Sequence, residues 1–190
     1  MGDPIREYRL AKEIFRHGRD LILSDEAQKM KSFTQHGMTS VFEHTVSVAK
    51  YSLKMANVLE KIGAKIDRRS LVRGAILHDY FLYDWHEKNE FHRLHGFTHP
   101  KRALNNATRD FELNEVESDI IRKHMFPLTP VPPKHIESSI VCIADKWCAI
   151  CETFKIDISS YIIYRINLHH DIARGRVRLG HLHKHKENVI

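Results

Sequence analysis

No apolar run in the chain approaches the roughly 20 residues a helix needs to cross a bilayer. The opening stretch MGDPIREYRLAKEIF is charged and amphipathic and lacks the apolar segment of a signal peptide. It also lacks the Ser or Thr that a myristoylation signal carries at its sixth position. A cytoplasmic protein with no membrane partner is therefore expected. Strand-like alternation is missing, and most of the few glycines and prolines fall between periodic segments rather than within them, which argues against a β-rich fold. Cysteine is scarce and odd in number: Cys142, Cys148 and Cys151 sit close together on one expected helix. Cys148 and Cys151 have the C-x-x-C spacing of redox and zinc sites. Only one such pair exists, and it lies in an apolar run, so all three are expected to pack as small core hydrophobes. Repeats and low-complexity segments are absent.

What remains is an ordinary globular composition, 42% hydrophobic and 28% charged over 190 residues, enough for one domain with a substantial core. The formal charge of +6 is uneven. From Lys155 onward seven Lys/Arg face three Asp/Glu, so +4 of it lies in the last 36 residues. Such a tail suits nucleic acid or another anionic surface, although a solvated helix face is the commoner use. The periodicity predicts helices over about 4–23, 24–35, 40–62, 67–79, from 99, 114–124, 134–154 and 158–174. Ser40-Val-Phe-Glu43 and Asn114-Glu-Val-Glu117 read as capping boxes, and His99-Pro100 as a helix start. The expected fold is all-α: a compact helical bundle over 1–154, with a C-terminal helix and basic tail over 155–190 packed on it or extending from it.

Several polar residues interrupt this apolar helical pattern. His44 shares a row with Val48, Tyr51 and Met55. His78 follows Leu71 and Ala75, and its neighbour Asp79 follows Val72 and Ile76. Successive helical residues point about 100° apart, so at a helix end both can reach one central atom. His124 follows Ile120 and Ile121, while Asp145 lies among Val141, Cys142, Cys148 and Ala149. A lone histidine on such a face is usually a hydrogen-bonded core residue, and a lone buried aspartate is usually salt-bridged. Four helices each offering an inward polar group is a different matter, because uncompensated carboxylates cost several kcal/mol to bury. Mixed imidazole and carboxylate donors suit a divalent transition metal such as Fe, Mn, Co, Ni or Zn. His44, His78, Asp79 and Asp145 could hold one ion. His99 and His124 could hold a second, with Asp79 bridging; two such ions can clamp phosphoryl oxygens.

The order His44, His78-Asp79, Asp145, carried by SVFEHTVSVAKYS, AILHDY and IVCIADKWCA, resembles the HD-domain superfamily of metal-dependent phosphohydrolases. The resemblance runs from about Phe33 to Glu152. With His99 and His124 added, it is closest to the dinuclear subset, such as the HD-type diadenosine tetraphosphate hydrolases. HDYFLYD lacks the glycine and lysine of the HD-I-G-K pattern, and there is no GYP signature, which argues against cleavage of cyclic dinucleotides.

The resemblance implies a helical bundle around one or two metal ions. It implies hydrolysis of a phosphate ester or phosphoanhydride, of a small phosphorylated substrate such as a nucleotide, by metal-activated water. Asp79, Asp84, Lys101, Arg102 and Lys146 are candidates to act at the reaction centre, assist the leaving group or hold phosphate. His36, His86, His92 and His95 are candidates to line the pocket. The competing reading is a non-catalytic, metal-stabilised module that regulates or binds nucleic acid or protein.

Overall fold

The computed structural model describes residues 3–36, 39–83 and 95–177. Its elements are α1 (Pro4–His17), α2 (Arg19–Leu23), α3 (Asp25–Gln28), a 3₁₀ turn (Lys29–Ser32), β1 (Thr34–His36), β2 (Thr39–Ser40), α4 (Val41–Lys61), α5 (Arg68–Leu77), α6 (His95–Asp110), α7 (Glu115–Lys123), α8 (Ile136–Thr153) and α9 (Ser160–Ala173). The all-α expectation holds, with one small exception. β1 and β2 form an antiparallel pair, Thr34 opposite Ser40 and His36 opposite Thr39. Strands this short carry no readable alternation, and the segment had been expected as helix through Gln35.

Helix α4 runs through the middle, packed along α5 and α8 and touching α1 and α9. Both expected capping boxes are present. The Ser40 hydroxyl accepts from the Glu43 amide while the Glu43 carboxylate accepts from the Ser40 amide, and Asn114 and Glu117 do the same for α7. Asp67 caps α5. The long first helix expected to Leu23 instead breaks at Gly18, where a Cβ would collide with the Ile76 side chain. Helix α6 starts at His95 rather than at His99, and carries Pro100 inside it. Proline removes a single amide from the ladder, so a helical turn can still precede it.

Two packing features bring the helix ends together. Gly74 lies mid-way along α5, where a Cβ would run into Ile120 of α7, so the two helices approach closely. His78 and His124, which follow the last residues of those helices, then meet edge to face with ring centroids 4.8 Å apart. At the other side α9 packs over α1: His169 stacks near Phe15, and the Arg165 guanidinium lies over the Tyr8 ring. No helix among the described residues is long and apolar enough to cross a membrane. The three cysteines are free and buried, as expected of core residues.

Candidate metal centre

His44 lies one turn into α4, His78 and Asp79 directly after α5, His99 on α6, His124 directly after α7 and Asp145 midway along α8. All six are buried. His44 Nε2 stands 3.1 Å from Asp145 Oδ1 and 3.8 Å from Asp79 Oδ2. His78 Nε2 lies 3.4 Å from Asp79 Oδ2 and 3.6 Å from Asp145 Oδ1. On the other side of Asp79, Oδ1 is 3.1 Å from His99 Nε2 and 3.5 Å from His124 Nε2. Those two imidazole nitrogens are 2.7 Å apart. The donors therefore form two sets joined at Asp79: His44, His78, Asp79 and Asp145, and Asp79, His99 and His124.

The outer nitrogens explain why the inner ones are available. His78 Nδ1 is 2.7 Å from the Ala75 carbonyl, and His124 Nδ1 is 2.9 Å from the Ile121 carbonyl. Each imidazole thus donates to a carbonyl that its helix end leaves unpaired. A neutral ring that donates from Nδ1 keeps its lone pair on Nε2, the tautomer that a metal requires. His44 follows the same logic with a carboxylate: Nδ1 is 2.8 Å from Glu152 Oε2. Glu152 was not singled out from the sequence, yet it lies seven residues after Asp145 on the same inward row. Gln35 was not singled out either. Its amide donates to Asp79 Oδ2 at 2.6 Å, and no periodic signal marks it.

The electrostatics of the hollow are unbalanced. Burial works against charge on His44, but the Asp145 and Glu152 carboxylates overcome it and raise its pKa to about 9. His78 is likewise held well above its ordinary value: burial opposes this, and Asp79 and Asp145 outweigh it. Burial favours protonation of Asp79, but the facing imidazoles of His78, His124 and His99 hold it well below the usual carboxylate range. Asp145 is lowered in the same way, against burial, by His44 and His78. His124 is lowered: burial outweighs the opposing hydrogen bond to Asp79, and the neighbouring His78 adds to the effect. His78 Nε2 and Asp79 Oδ1 have no hydrogen-bond partner among the described residues. Among the described residues no Lys or Arg pairs with Asp79 or Asp145. A divalent cation would take the place of the protons that these carboxylates draw onto the His44 and His78 imidazoles, and so complete a set of converging nitrogens and two buried carboxylates.

The remaining candidates are less central. Lys101 is exposed on α6, and Arg102 lies over the Tyr83 ring, 5.0 Å from its centroid. Lys146 is engaged with the backbone: its ammonium donates to the His124 carbonyl at 2.9 Å and to the Cys142 carbonyl at 3.2 Å. Asp84, His86, His92, the side chains of His36 and His95, and the tail beyond residue 177 lie outside the described residues.

Comparison with known proteins agrees with this geometry. Over 113 residues the chain is 34% identical to a dihydroneopterin 2′,3′-cyclic phosphate phosphodiesterase from Methanocaldococcus jannaschii. The match takes in 56% of this chain but 45% of that protein, so the chain spans under half of its relative's length. No solved structure matches. The model of the HD domain family matches residues 41–150, a span that contains every one of the six converging side chains. A buried His/Asp cluster within that span points to a divalent metal site, and the chain belongs to the HD domain family.

Proposed function

We propose that this chain is a metal-dependent phosphohydrolase that cleaves a phosphate ester or phosphoanhydride of a small, nucleotide-like substrate. Asp79 carries the reading. Its two oxygens face two different donor sets inside one buried hollow, Oδ2 toward His44 and His78 and Oδ1 toward His99 and His124. In this reading His44, His78, Asp79 and Asp145 hold one divalent ion, and Asp79, His99 and His124 hold a second. Bound there, such ions supply Lewis acidity, lowering the pKa of water from about 15.7 toward neutrality and offsetting charge on phosphoryl oxygens.

The protein's own residues prepare the site. The Ala75 and Ile121 carbonyls and the Glu152 carboxylate fix the tautomers of His78, His124 and His44. The Gln35 amide holds Asp79 Oδ2 and so orients Oδ1. Lys146 ties the His124 carbonyl to α8, a positioning role. Asp84, Lys101 and Arg102 stay with the substrate in this reading, assisting the leaving group or holding phosphate. The relative's name makes 2′,3′-cyclic phosphates the first substrate class to try, ahead of phosphoanhydrides. Fe, Mn, Co, Ni and Zn are the ions its donors suit.

The test is Asp79→Ala, assayed with nucleoside 2′,3′-cyclic phosphates, dinucleoside polyphosphates and bis(p-nitrophenyl) phosphate in the presence of each ion. Elemental analysis of the same protein, purified without chelator, gives metal per chain. The expected result is that the natural chain carries close to two equivalents and turns over at least one ester. Asp79→Ala should lose the metal, together with about a thousandfold or more of the activity. Activity that survives without metal overturns the proposal. Metal without turnover of any phosphorylated substrate leaves the binding-module reading in its place.

A further inference from the structure

Helix α8 carries Asp145 on its inner face and a row of large apolar residues on its outer one. Ile136, Ile143, Trp147, Ile150 and, just past the helix end, Phe154 are 39, 58, 51, 53 and 74% exposed. At about 100° per residue, all five fall within about 40° of one line along the helix. No charged residue shares that line. Lys146 beside it is committed to backbone carbonyls, while Glu137, Asp145 and Glu152 are buried on the other side. Beside this row, the Tyr51 hydroxyl of α4 neighbours the Trp147 indole.

We propose that this face is a homodimer interface, with two α8 helices packed antiparallel about a twofold axis close to Trp147. Size allows it. Given the exposures of these side chains, the α8 row offers roughly 600 Å² per copy, or about 1,200 Å² for the pair, the lower end of specific interfaces. Spacing favours a second copy in particular. A twofold contact sets one patch against itself, and the row nearly reads the same in both directions. Run antiparallel, Ile136 falls opposite the partner's Phe154, and Ile143 opposite the partner's Trp147. Antiparallel helices also set their dipoles favourably. Charge argues against an acidic or basic partner, which finds nothing on this row to pair with. Because Asp145 faces inward, each copy keeps its own metal hollow.

Sedimentation equilibrium of the full chain, from about 1 to 100 μM, is the test. The expected particle has twice the 22.3 kDa chain mass, and its association is unchanged or tightened by added salt. Trp147→Glu should raise the dissociation constant by about a hundredfold or more, with circular dichroism and metal content retained. Phe154→Ser, beyond the end of α8, gives a second variant that leaves the helix intact and should also weaken the dimer. Ile5→Glu, on an exposed position of α1, should leave it unchanged. A single-chain mass across the whole range overturns the proposal. So does a dimer that Trp147→Glu and Phe154→Ser leave at its original affinity.

Discussion

Helix α5 touches two buried carboxylate sites, and they are neutralised in opposite ways. Near its middle, the Arg73 guanidinium donates to Glu117 at 2.7 Å, to Asp20 and to the Glu112 carbonyl at 3.1 Å. Arg73 and Glu117 are 2 and 1% exposed, so the pair is taken fully out of water with its hydrogen bonds made. Past the C-terminal end of the same helix, Asp79 and the facing Asp145 of α8 are also buried but meet only imidazoles and one amide among the described residues. A third site behaves like the first: Glu7 lies between Lys50 and Lys54, each at 2.7 Å. The chain thus supplies a cation where burial serves the fold. At Asp79 it leaves one to be bound. This difference separates a structural charge cluster from a site built for a ligand.

The comparison breaks first at Arg73. Arg73→Met should leave Glu117 buried without its main partner, at a cost of about 3–5 kcal/mol. The urea midpoint should fall with the slope unchanged. Metal per folded chain should stay at the natural level, because nothing in the Arg73 cluster touches the hollow. Loss of metal from the folded variant would show that the two sites are one network.

The two regions also differ in how far the sequence foretold them. His44, His78, Asp79, His124 and Asp145 stood out because each interrupts an apolar row of known period, and the fold brings them together with His99. Arg73 was not legible, since its partners Asp20, Glu112 and Glu117 come from distant segments. Gln35 escaped for another reason: it lies in a three-residue strand too short to show alternation, within a stretch that reads as helix. Glu152 had a signal, seven residues beyond Asp145 on one row. The break at Gly18 is a tertiary effect set by Ile76, which no local pattern records. The outer face of α8 was hidden because SSIVCIADKWCAIC is apolar nearly all round, so periodicity alone does not say which side is covered.

Glu152 sharpens the comparison, because its carboxylate meets the outer nitrogen of His44, where those of His78 and His124 meet backbone carbonyls. Glu152→Gln keeps an oxygen to accept from His44 Nδ1 but removes the charge that helps raise its pKa to about 9. Less basic, His44 should hold an ion more weakly by about 10–100-fold. Calorimetric titration of the metal-free protein measures this, and the chemical stability of the metal-free form should change little or rise. Unaltered metal affinity would reduce Glu152 to a structural partner.

The smallest effect concerns Asp119, a charge balanced within the fold. Burial favours its neutral form, but Lys123 at 2.7 Å, the Ser138 hydroxyl at 2.7 Å and the amides of Lys134 and His135 prevail. Its pKa therefore lies below the ordinary 3.8. A carboxyl lowered by folding stabilises the native state above its unfolded pKa, and that contribution is lost as pH falls through the folded value. Asp119→Asn should cost about 1 kcal/mol near neutrality. The gap from the natural chain should narrow below about pH 4 and close only as pH falls through the folded value, which lies below 3.8, where the natural residue is protonated as well. Urea midpoints for both chains, taken from neutrality downward, measure it. Since Asp119 fixes the start of the segment leading into α8, a gap that persisted in acid would assign its role to hydrogen bonding rather than charge.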